Sequence, residues 1–231
     1  MVYAIIVSAG KSERFGGDVP KQFVEVCGKP ILAWTLERFE HAQTIDKIVI
    51  VASADHAAMI SQSVVDRFGL TKVEKIVEGG ASRAESVLRG LESLPSYTEI
   101  VAIHDGVRPM VHPQDIDTVV NSARHWGGAI LASRVTDTIK LVSGEKITST
   151  LDRASLFAAS TPQAFQFGLI RDAHRHAHSA GKHHEATDDA VLVERMGHAV
   201  HVVVTAYPNP KITHSADIAM LEFLLSGELH G

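Results

Sequence analysis

The chain has 231 residues, of which 45% are hydrophobic, so it can bury the core of one large domain or two small ones. Its formal net charge of −5 argues against a general nucleic-acid-binding protein, which usually carries a basic field. No apolar run reaches the ~18 residues that a membrane span needs, and the N-terminus lacks the pattern of a secretory signal. Because Cys27 is the only cysteine, an intrachain disulfide is excluded and we expect a cytoplasmic location.

Short apolar runs alternate with segments of helical spacing along most of the chain. Six such runs predict β-strands, at residues 3–7, 47–53, 73–78, 100–105, 128–133 and 199–205. Most lack a polar face, which is typical of strands buried on both sides. Helical spacing covers residues 30–42 and 82–94, and a closing helix is predicted over 215–227. We therefore expect a single α/β domain over residues 1–231, with a Rossmann-like, mostly parallel sheet and helices on both faces.

Residues 134–165 interrupt this alternation. The stretch "SRVTDTIKLVSGEKITSTLDR" predicts two strands around the turn "SGEK", and therefore a β-hairpin arm over residues 134–160 outside the main sheet. An isolated two-stranded hairpin is only marginally stable in water. Pairing with a second subunit across a two-fold axis would bury the apolar residues of the arm, so we expect a homodimer.

The loop that follows the first strand, "SAGKSERFGGDVPKQF" (8–23), has features of a polyphosphate site. Ligands of open parallel sheets bind at the carboxyl ends of the strands, where this loop lies. Gly10 permits a tight turn, and backbone N–H groups of such a loop can bind anions. Positive charge comes from Lys11, Arg14 and Lys21. The spacing matches neither a P-loop nor G-x-G-x-x-G, which argues against a nicotinamide-dependent dehydrogenase. Taken alone, the loop could also be an ordinary polar surface loop.

The same loop resembles the A-A-G-x-G-x-R-x(n)-P-K-Q signature of sugar-nucleotide and alditol-phosphate nucleotidylyltransferases. Further motifs follow in order: "GGASRAESV" (79–87), "HDGVRP" (104–109), "DTIK" (137–140), "DRASL" (152–156), "TPQAF" (161–165), "TDDAVLVE" (187–194) and "NPKIT" (209–213). Together they resemble the 2-C-methyl-D-erythritol 4-phosphate cytidylyltransferase family of the non-mevalonate isoprenoid pathway, over essentially the whole chain. Two motifs depart from the family pattern. "SAG" replaces AAG, and "HDGVRP" replaces HDAARP and is closer to the ribitol-5-phosphate cytidylyltransferases.

The resemblance implies an enzyme in which a phosphate oxygen of the acceptor attacks the α-phosphorus of CTP and pyrophosphate leaves. The attacking group is already an anion, so positioning, cations and Mg²⁺ would supply the catalysis. Arg14 and Lys21 would hold the triphosphate, and Lys211 would reach the α-phosphate. Asp105, at the end of a strand, would bind Mg²⁺ and orient substrate hydroxyls. The alternative interpretation of Asp105 is a helix cap at the end of a strand.

The resemblance also implies two sets of binding residues. The expected CTP site consists of Ser8, Ala9, Gly10, Lys11, Gly79, Gly80, Ala81, Arg83 and Ser86, among which Ala9, Gly80, Ala81 and Ser86 would surround the base and ribose. The expected acceptor site consists of Asp105, Arg108, Thr138, Arg153 and Thr187. Thr138 and Arg153 lie on the arm, which in this family crosses to a second subunit. A homodimer would therefore complete each site.

Two alternative functions remain open. "HDGVRP" favours ribitol 5-phosphate or another pentitol phosphate as the acceptor, whereas "GGASRAESV" and "TDDAVLVE" favour methylerythritol phosphate. A catalytically inactive nucleotide-binding protein is the second alternative, but mere binding does not require Arg14, Lys21, Asp105, Arg153 and Lys211 together.

The histidine-rich stretch "HRHAHSAGKHHEATDD" (174–189) has zinc-like spacing at His174 and His178. The chemistry implied by the resemblance needs no zinc. For this stretch, which includes His183, His184 and Glu185, we expect a solvated polar surface rather than a metal site.

Overall fold

The computed structural model describes residues 1–10, 15–16 and 19–229, without the side chains of residues 228 and 229. Strands and helices alternate through most of the chain. The strands are β1 (Val2–Val7), β2 (Glu25–Val26), β3 (Lys29–Pro30), β4 (Lys47–Ala52), β5 (Val73–Glu78), β6 (Ile100–Asp105), β7 (Gly128–Arg134), β8 (Lys140–Ser143), β9 (Lys146–Thr150), β10 (Phe157–Gln166) and β11 (His201–Val204). The α-helices are α1 (Ile31–His41), α2 (Ala57–Ile60), α3 (Arg83–Glu92), α4 (Pro113–Trp126), α5 (Phe167–Ser179), α6 (Ala190–Arg195) and α7 (Asp217–Leu229). In the part of the chain described, none of the helices has both the length and the apolar character needed to cross a membrane.

Seven strands form the central sheet, in the order β11-β7-β10-β6-β1-β4-β5. The six predicted strands are all present and run parallel to one another, which confirms the expected mostly parallel α/β sheet. β10 was not predicted, and it runs antiparallel between β6 and β7. Its sequence contains Pro162, a residue usually excluded from central strands. The register of β10 against β7 shifts between Ala159 and Gln163, and this irregularity accommodates the proline within the strand.

The central strands are buried on both faces because their residues alternate between two apolar cores. Ile6 of β1 packs in one cluster with Leu36 of α1, on the side that also carries α4. Ile5, the preceding residue, packs in a second cluster with Val87 of α3, on the side that carries α5. Full burial of such a side chain contributes roughly 1.5–3 kcal/mol. Helices therefore cover both faces of the sheet, as the continuous apolar runs predicted.

A third cluster joins α7 to the loop after β6. Ile212, Leu221 and Trp34 are buried together with Val107, which follows β6. The backbone N–H of Ile212 donates to the carbonyl of Val107 at 2.9 Å. The cluster thus fixes the segment before α7 beside the end of β6.

The closing helix differs from its prediction by two residues at each end. It begins at Asp217, whose carboxylate accepts the backbone N–H groups of Thr213 and His214. It continues through Gly227 to Leu229, because a glycine within a helix costs only about 1 kcal/mol relative to alanine.

The predicted hairpin is present as a separate two-stranded antiparallel sheet of β8 and β9. Every residue of both strands is exposed. Leu141, Val142 and Ile147 are 54%, 50% and 64% exposed, respectively. The hairpin therefore buries little of its apolar surface within its own chain, and its part in a dimer remains a prediction.

Candidate active site

The candidate site lies at the edge of the sheet where the parallel strands end. Backbone hydrogen bonds continue just past the strands and hold the loops in register: Ser8 N to Val51 O at 2.7 Å, Gly79 N to Ala52 O at 2.8 Å and Gly106 N to Val7 O at 2.9 Å. β10 runs the other way and so brings its first half to the same edge. Loops from distant parts of the sequence therefore meet here, as expected for an open α/β sheet.

Asp105, the last residue of β6, is the centre of a cluster of cations. Arg83 Nε lies 3.0 Å from Oδ1, and Lys211 Nζ lies 2.8 Å from Oδ2. Arg108 Nε is 3.5 Å from the same Oδ2. Burial would raise the pKa of Asp105, but the charges of Arg83, Lys211 and Arg108 hold it well below its usual range. The carboxylate is therefore ionised at neutral pH and holds the three cations in place.

The first turn of α3 places Arg83 at this cluster. The Ser82 hydroxyl accepts the backbone N–H of Glu85 at 3.1 Å, and the Glu85 carboxylate accepts that of Ala81 at 2.9 Å. These two bonds cap the helix in the manner of a capping box. Arg83, the first residue of α3, is consequently fixed next to the end of β6.

The segment before α7 brings Lys211 to the cluster from more than 100 residues away in sequence. Arg108 Nη1 donates to the carbonyl of Asn209 at 2.8 Å, and Asn209 Nδ2 donates to that of Thr161 at 2.8 Å. Because Ile212 is completely buried in the third cluster, the segment is anchored on both sides of Lys211.

These groups surround a cleft of about 280 Å³. It is lined by Arg83, Asp105, Arg108, Ala159, Ser160, Thr161, Gln163, Thr187, Asp188 and Lys211. Three cations face two carboxylates, so the cleft suits an anionic ligand with hydroxyl groups. Asp105, Arg108 and Thr187 of the expected acceptor site lie together in it. Arg83 was expected at the CTP, but the structure places it in this cleft.

A second group of expected residues meets beside β4 and β5. A Cβ atom on Gly79 would stand 2.5 Å from the Ala9 Cβ and 2.9 Å from the Ser86 Oγ, so only glycine fits there. The Ser86 hydroxyl accepts the Gly80 backbone N–H at 3.0 Å. Ser8, at the start of the same loop, is 5% exposed, and its Oγ has no hydrogen-bond partner among the described residues. Four expected CTP-site positions (9, 79, 80 and 86) are thus adjacent.

Three of the predicted cationic residues are not among the described residues that line the cleft. Lys11 and Arg14 lie outside the described residues. Lys21 starts a short 3₁₀ helix. The backbone N–H groups of His214 and Thr213 lower the pKa of Asp217 at the start of α7, and the charge of Lys21 adds a smaller effect.

Thr138 and Arg153 lie on the exposed arm. Arg153 Nη1 donates to the carbonyl of Thr136 at 2.9 Å. Among the residues that the structure describes, neither Thr138 nor Arg153 lines the cleft of its own chain.

Gln163 of β10 is a functional candidate that the sequence analysis did not assign. Its Oε1 accepts the backbone N–H groups of Asp189 and Ala190, both at 3.0 Å, and its Nε2 donates to Asp188 at 2.9 Å. It therefore fixes the segment that carries Thr187. The quoted motifs "TPQAF" and "TDDAVLVE" contain these partners, but nothing in the sequence shows that they touch.

His104, although next to Asp105, is not suited to act as a base. Burial lowers its pKa to about 3, so the ring is neutral. One ring nitrogen lies 3.0 Å from the Thr161 hydroxyl and the other 3.2 Å from the carbonyl of Arg108. His104 thus holds together two parts of the cleft wall.

The expected solvated surface over residues 174–189 is wrong for two histidines. His174 and His183 are buried, and their rings are joined by a hydrogen bond of 2.9 Å. His174 faces inward because it shares the buried side of α5 with Ile170 and Ala177. The other histidines of the stretch, His176, His178 and His184, are exposed, as is Glu185. Within the described parts of the chain, no three histidine, cysteine or acidic side chains are grouped so as to hold a metal ion.

Comparison with known proteins gives the family. The sequence model of "2-C-methyl-D-erythritol 4-phosphate cytidylyltransferase" (IspD) matches residues 2–227. The protein of that name from Geobacter metallireducens is 41% identical over 231 residues, which is 99% of each chain. A "Bifunctional enzyme IspD/IspF" from Desulforudis audaxviator is 43% identical over 226 residues, covering 97% of this chain and 56% of that one.

Solved structures agree with this assignment. The crystal structure of "4-diphosphocytidyl-2C-methyl-D-erythritol synthase" from Anaerococcus prevotii superposes with a TM-score of 0.85 at 28% identity, covering 97% of this chain and 96% of that one. The Thermus thermophilus enzyme, at 30% identity and with 96% and 98% coverage, gives a TM-score of 0.76. The chain therefore belongs to the 2-C-methyl-D-erythritol 4-phosphate cytidylyltransferase family.

Proposed function

We propose that the protein transfers the cytidylyl group of CTP to 2-C-methyl-D-erythritol 4-phosphate. An oxygen of the acceptor phosphate forms a bond to the α-phosphorus, the bond from that phosphorus to the β-phosphate oxygen breaks, and pyrophosphate leaves with the electron pair. The observation that carries the proposal is the cluster in which Asp105 holds Arg83, Arg108 and Lys211 at one cleft, in a chain of this family.

The cations would act on charge rather than on protons. The attacking phosphate is already an anion, so no general base is required, and neutral His104 supplies none. Arg108 and Lys211 would offset the repulsion between the two anionic substrates and stabilise charge on the phosphoryl oxygens. Because Asp105 already orients both cations, little reorganisation would be needed during the reaction.

The residues present fit Mg²⁺ as one carboxylate shared with the phosphates of the nucleotide. The described partner of Asp105 Oδ1 is Arg83 Nε, and a carboxylate oxygen carries two lone pairs, so Oδ1 can still serve as a ligand. Mg²⁺ typically takes one or two protein carboxylates when phosphates supply other ligands. Asp105 would hold the ion, which when bound would neutralise phosphate charge.

The glycine at position 106 is not an argument for a pentitol phosphate as the acceptor. A Cβ at this position would meet the Val7 carbonyl at 3.1 Å, Leu32 at 3.2 Å and the Ser8 Cβ at 3.3 Å. It would therefore point into the protein rather than into the cleft. The departures from the family pattern lie at Ser8, Gly106 and Val107. An added Cβ on Gly106 would stand 3.3 Å from the Ser8 Cβ, and Val107 is buried in the third cluster, so packing accounts for all three. The pentitol alternative thus loses the motif that supported it.

The remaining acceptor residues would come from a second subunit. We propose that Thr138 and Arg153 complete the partner's cleft in a homodimer formed through the arm of residues 134–160. Support comes from the exposed apolar side chains of the hairpin, which two arms could bury against each other. We also keep the cytoplasm as the proposed location, because a chain with one cysteine needs no oxidising compartment.

Pyrophosphate release tests the proposal. The purified protein is incubated with CTP, Mg²⁺ and either 2-C-methyl-D-erythritol 4-phosphate or D-ribitol 5-phosphate at equal concentration. We expect release with the first acceptor and at least tenfold slower release with the second. Faster release with ribitol 5-phosphate would establish the alternative acceptor. CTP binding without pyrophosphate release in the presence of either acceptor would identify a nucleotide-binding protein and contradict the proposal.

A further inference from the structure

A row of hydrogen bonds leads from the cleft into the interior of the protein. Arg83, which binds Asp105 through Nε, also donates from Nη2 to Asp189 at 2.9 Å. The other oxygen of Asp189 lies 3.1 Å from His174 Nε2, and His174 Nδ1 lies 2.9 Å from His183 Nε2. Asp189, His174 and His183 are 1%, 0% and 6% exposed. The known chemistry of nucleotidyl transfer assigns no task to these three buried side chains.

The donor to Asp189 is determined by elimination. The carboxylate of Asp189 only accepts hydrogen bonds, so His174 Nε2 must donate to it. The second nitrogen of the His174 ring, Nδ1, shares a hydrogen bond of 2.9 Å with His183 Nε2. Burial, together with His174 and His178, lowers the pKa of His183 to about 4, in agreement with a neutral ring. Both oxygens of Asp189 are thus engaged, one by His174 and one by Arg83.

Asp189 itself is held rigidly. Its backbone N–H donates to Gln163, and the residue lies at the start of α6. Burial would raise its pKa, but Arg83 and His174 lower it to about 2, so the side chain is ionised at neutral pH. A fixed, charged carboxylate therefore binds the Nη2 group of Arg83.

Arg83 therefore binds two carboxylates at once. Nε binds Asp105 and Nη2 binds Asp189, whereas Nη1 has no partner among the described residues. Arg83 also lines the cleft. Without Asp189 the planar guanidinium could turn to bind Asp105 with two parallel N–H groups, the preferred geometry of such pairs. That movement would compete with Lys211 for the same carboxylate.

We propose that Asp189 and His174 are positioning residues, which hold Arg83 so that its Nη1 group faces the phosphate of the acceptor. His174 keeps the Asp189 carboxylate turned towards Arg83, and His183 fixes the ring of His174. Arg83 thereby acts on the acceptor rather than on CTP. The inference rests on the proposed function for the identity of the acceptor, but the orientation of Arg83 is independent of it.

The first experiment removes the bond between His174 and Asp189. H174F lacks both ring nitrogens, H174Q keeps an amide that can donate to Asp189, and H176F places the same ring on the exposed side of α5 as a control. We expect kcat/KM for methylerythritol phosphate to fall on the order of tenfold in H174F, the usual effect of losing a group that orients a functional residue. The KM for CTP should change less than twofold. H174Q should recover most of the loss, and H176F should match the wild type.

A purely structural role predicts a different result. The melting temperature of H174F would fall, while both KM values and the kcat of the folded enzyme would stay at wild-type levels. That result would overturn the inference. D189N supplies a second variant should H174F not fold, because asparagine keeps the shape of the side chain but loses one of the two acceptors. Its control is D172N, at an exposed position of α5. D189N must show the same loss confined to the acceptor.

A measurement without turnover separates this inference from the proposed function. The Arg83 Nε–H signal is assigned by its absence in R83K, and its exchange with water is followed by ¹⁵N NMR. We expect exchange to be at least several-fold faster in H174F and D189N than in the wild type, and unchanged in H176F. Unchanged exchange in both network variants would refute the positioning role, even in an active enzyme. An inactive wild type with this exchange pattern would instead refute the proposed function alone.

Discussion

The cleft around Asp105 and the arm of β8 and β9 differ in how their side chains are fixed: by ion pairs within the chain in the cleft, and by few contacts in the arm. In the cleft, a carboxylate with a 9% exposed side chain orients three cations within one chain. In the arm, apolar residues such as Ile147 are more exposed than buried, and Arg153 binds only a backbone carbonyl of the arm in the contacts described. The cleft is organised by ion pairs within one chain, whereas the arm leaves its apolar side chains exposed in that chain.

This difference predicts two kinds of mutational effect. A change in the cleft should act on the chemical step, because the electrostatic arrangement is already in place. A change in the arm should act on assembly and leave the fold of the central sheet intact, because the arm contributes little to the core.

The largest effect is expected at Lys211, within the cleft. K211A removes a cation 2.8 Å from Asp105 and should lower kcat about a hundredfold, the typical cost of one preorganised group that stabilises transition-state charge. The melting temperature should change little, because the side chain is partly exposed. Steady-state kinetics and thermal melting check this, with K47A at the opposite edge of the sheet as the control. Wild-type kcat in K211A would show that the lysine is only a surface charge.

The arm should respond through its oligomeric state. L141E, V142E and I147E together place charges on a surface that the proposed dimer would bury. We expect a monomer by light scattering and activity lowered at least tenfold, with little change in the melting temperature of the central sheet. Three glutamates at exposed positions outside the arm (Q62E, H176E and H198E) add the same charge and serve as the control. A variant that stays dimeric would contradict the assignment of the arm as the interface.

The buried row behind the cleft should make stability depend on pH. The folded-state pKa of His183 is about 4, below its ordinary 6.5, so between these values the unfolded chain binds more protons. The contribution of His183 to the free energy of unfolding is therefore fully present above pH 6.5. This contribution, on the order of 2 kcal/mol, is lost as the pH falls towards 4. Urea unfolding over this range should show a shallower slope for H183Q than for the wild type. H184Q, at an exposed neighbour, should keep the wild-type slope; equal slopes in all three would contradict the prediction.

The smallest effect is expected at Gly106. G106A adds a methyl group that faces Ser8 and Leu32 at 3.2–3.3 Å, so a slight loss of stability should follow. The ratio of kcat/KM values for methylerythritol phosphate and ribitol 5-phosphate should change less than threefold. A larger change in this ratio would mean that position 106 selects the acceptor.

The sequence predicted the sheet well because its signals are local. Continuous apolar runs such as "YAIIV" identify strands buried on both faces, and the turn "SGEK" identifies the hairpin. β10 was not predicted because Pro162 is not typical of a central strand. Only the register shift in the folded sheet explains how the strand tolerates it.

The resemblance named several residues that the structure brings together in the cleft, but it did not give their arrangement. It named Asp105, Arg108 and Lys211. Arg108 lies only three residues after Asp105, but the ion pair from Lys211 to Asp105 joins segments more than 100 residues apart in sequence. Arg83 was expected at the nucleotide because its motif is continuous with Gly79. His174 was expected at the surface because the spacing of the histidines cannot show that this ring pairs with Asp189 in the interior of the protein.

Complementation between two inactive variants tests most directly whether the cleft of one chain and the arm of another form one site. R153A carries a defective arm and K211A a defective cleft, and the two are mixed under conditions in which subunit exchange is verified. If the arm crosses, each mixed dimer has one site with a wild-type Lys211 and a wild-type Arg153, and about a quarter of the wild-type activity should return at equal mixing. If the arm serves its own chain, every site carries one of the two defects. Verified exchange without recovered activity would then contradict the shared site.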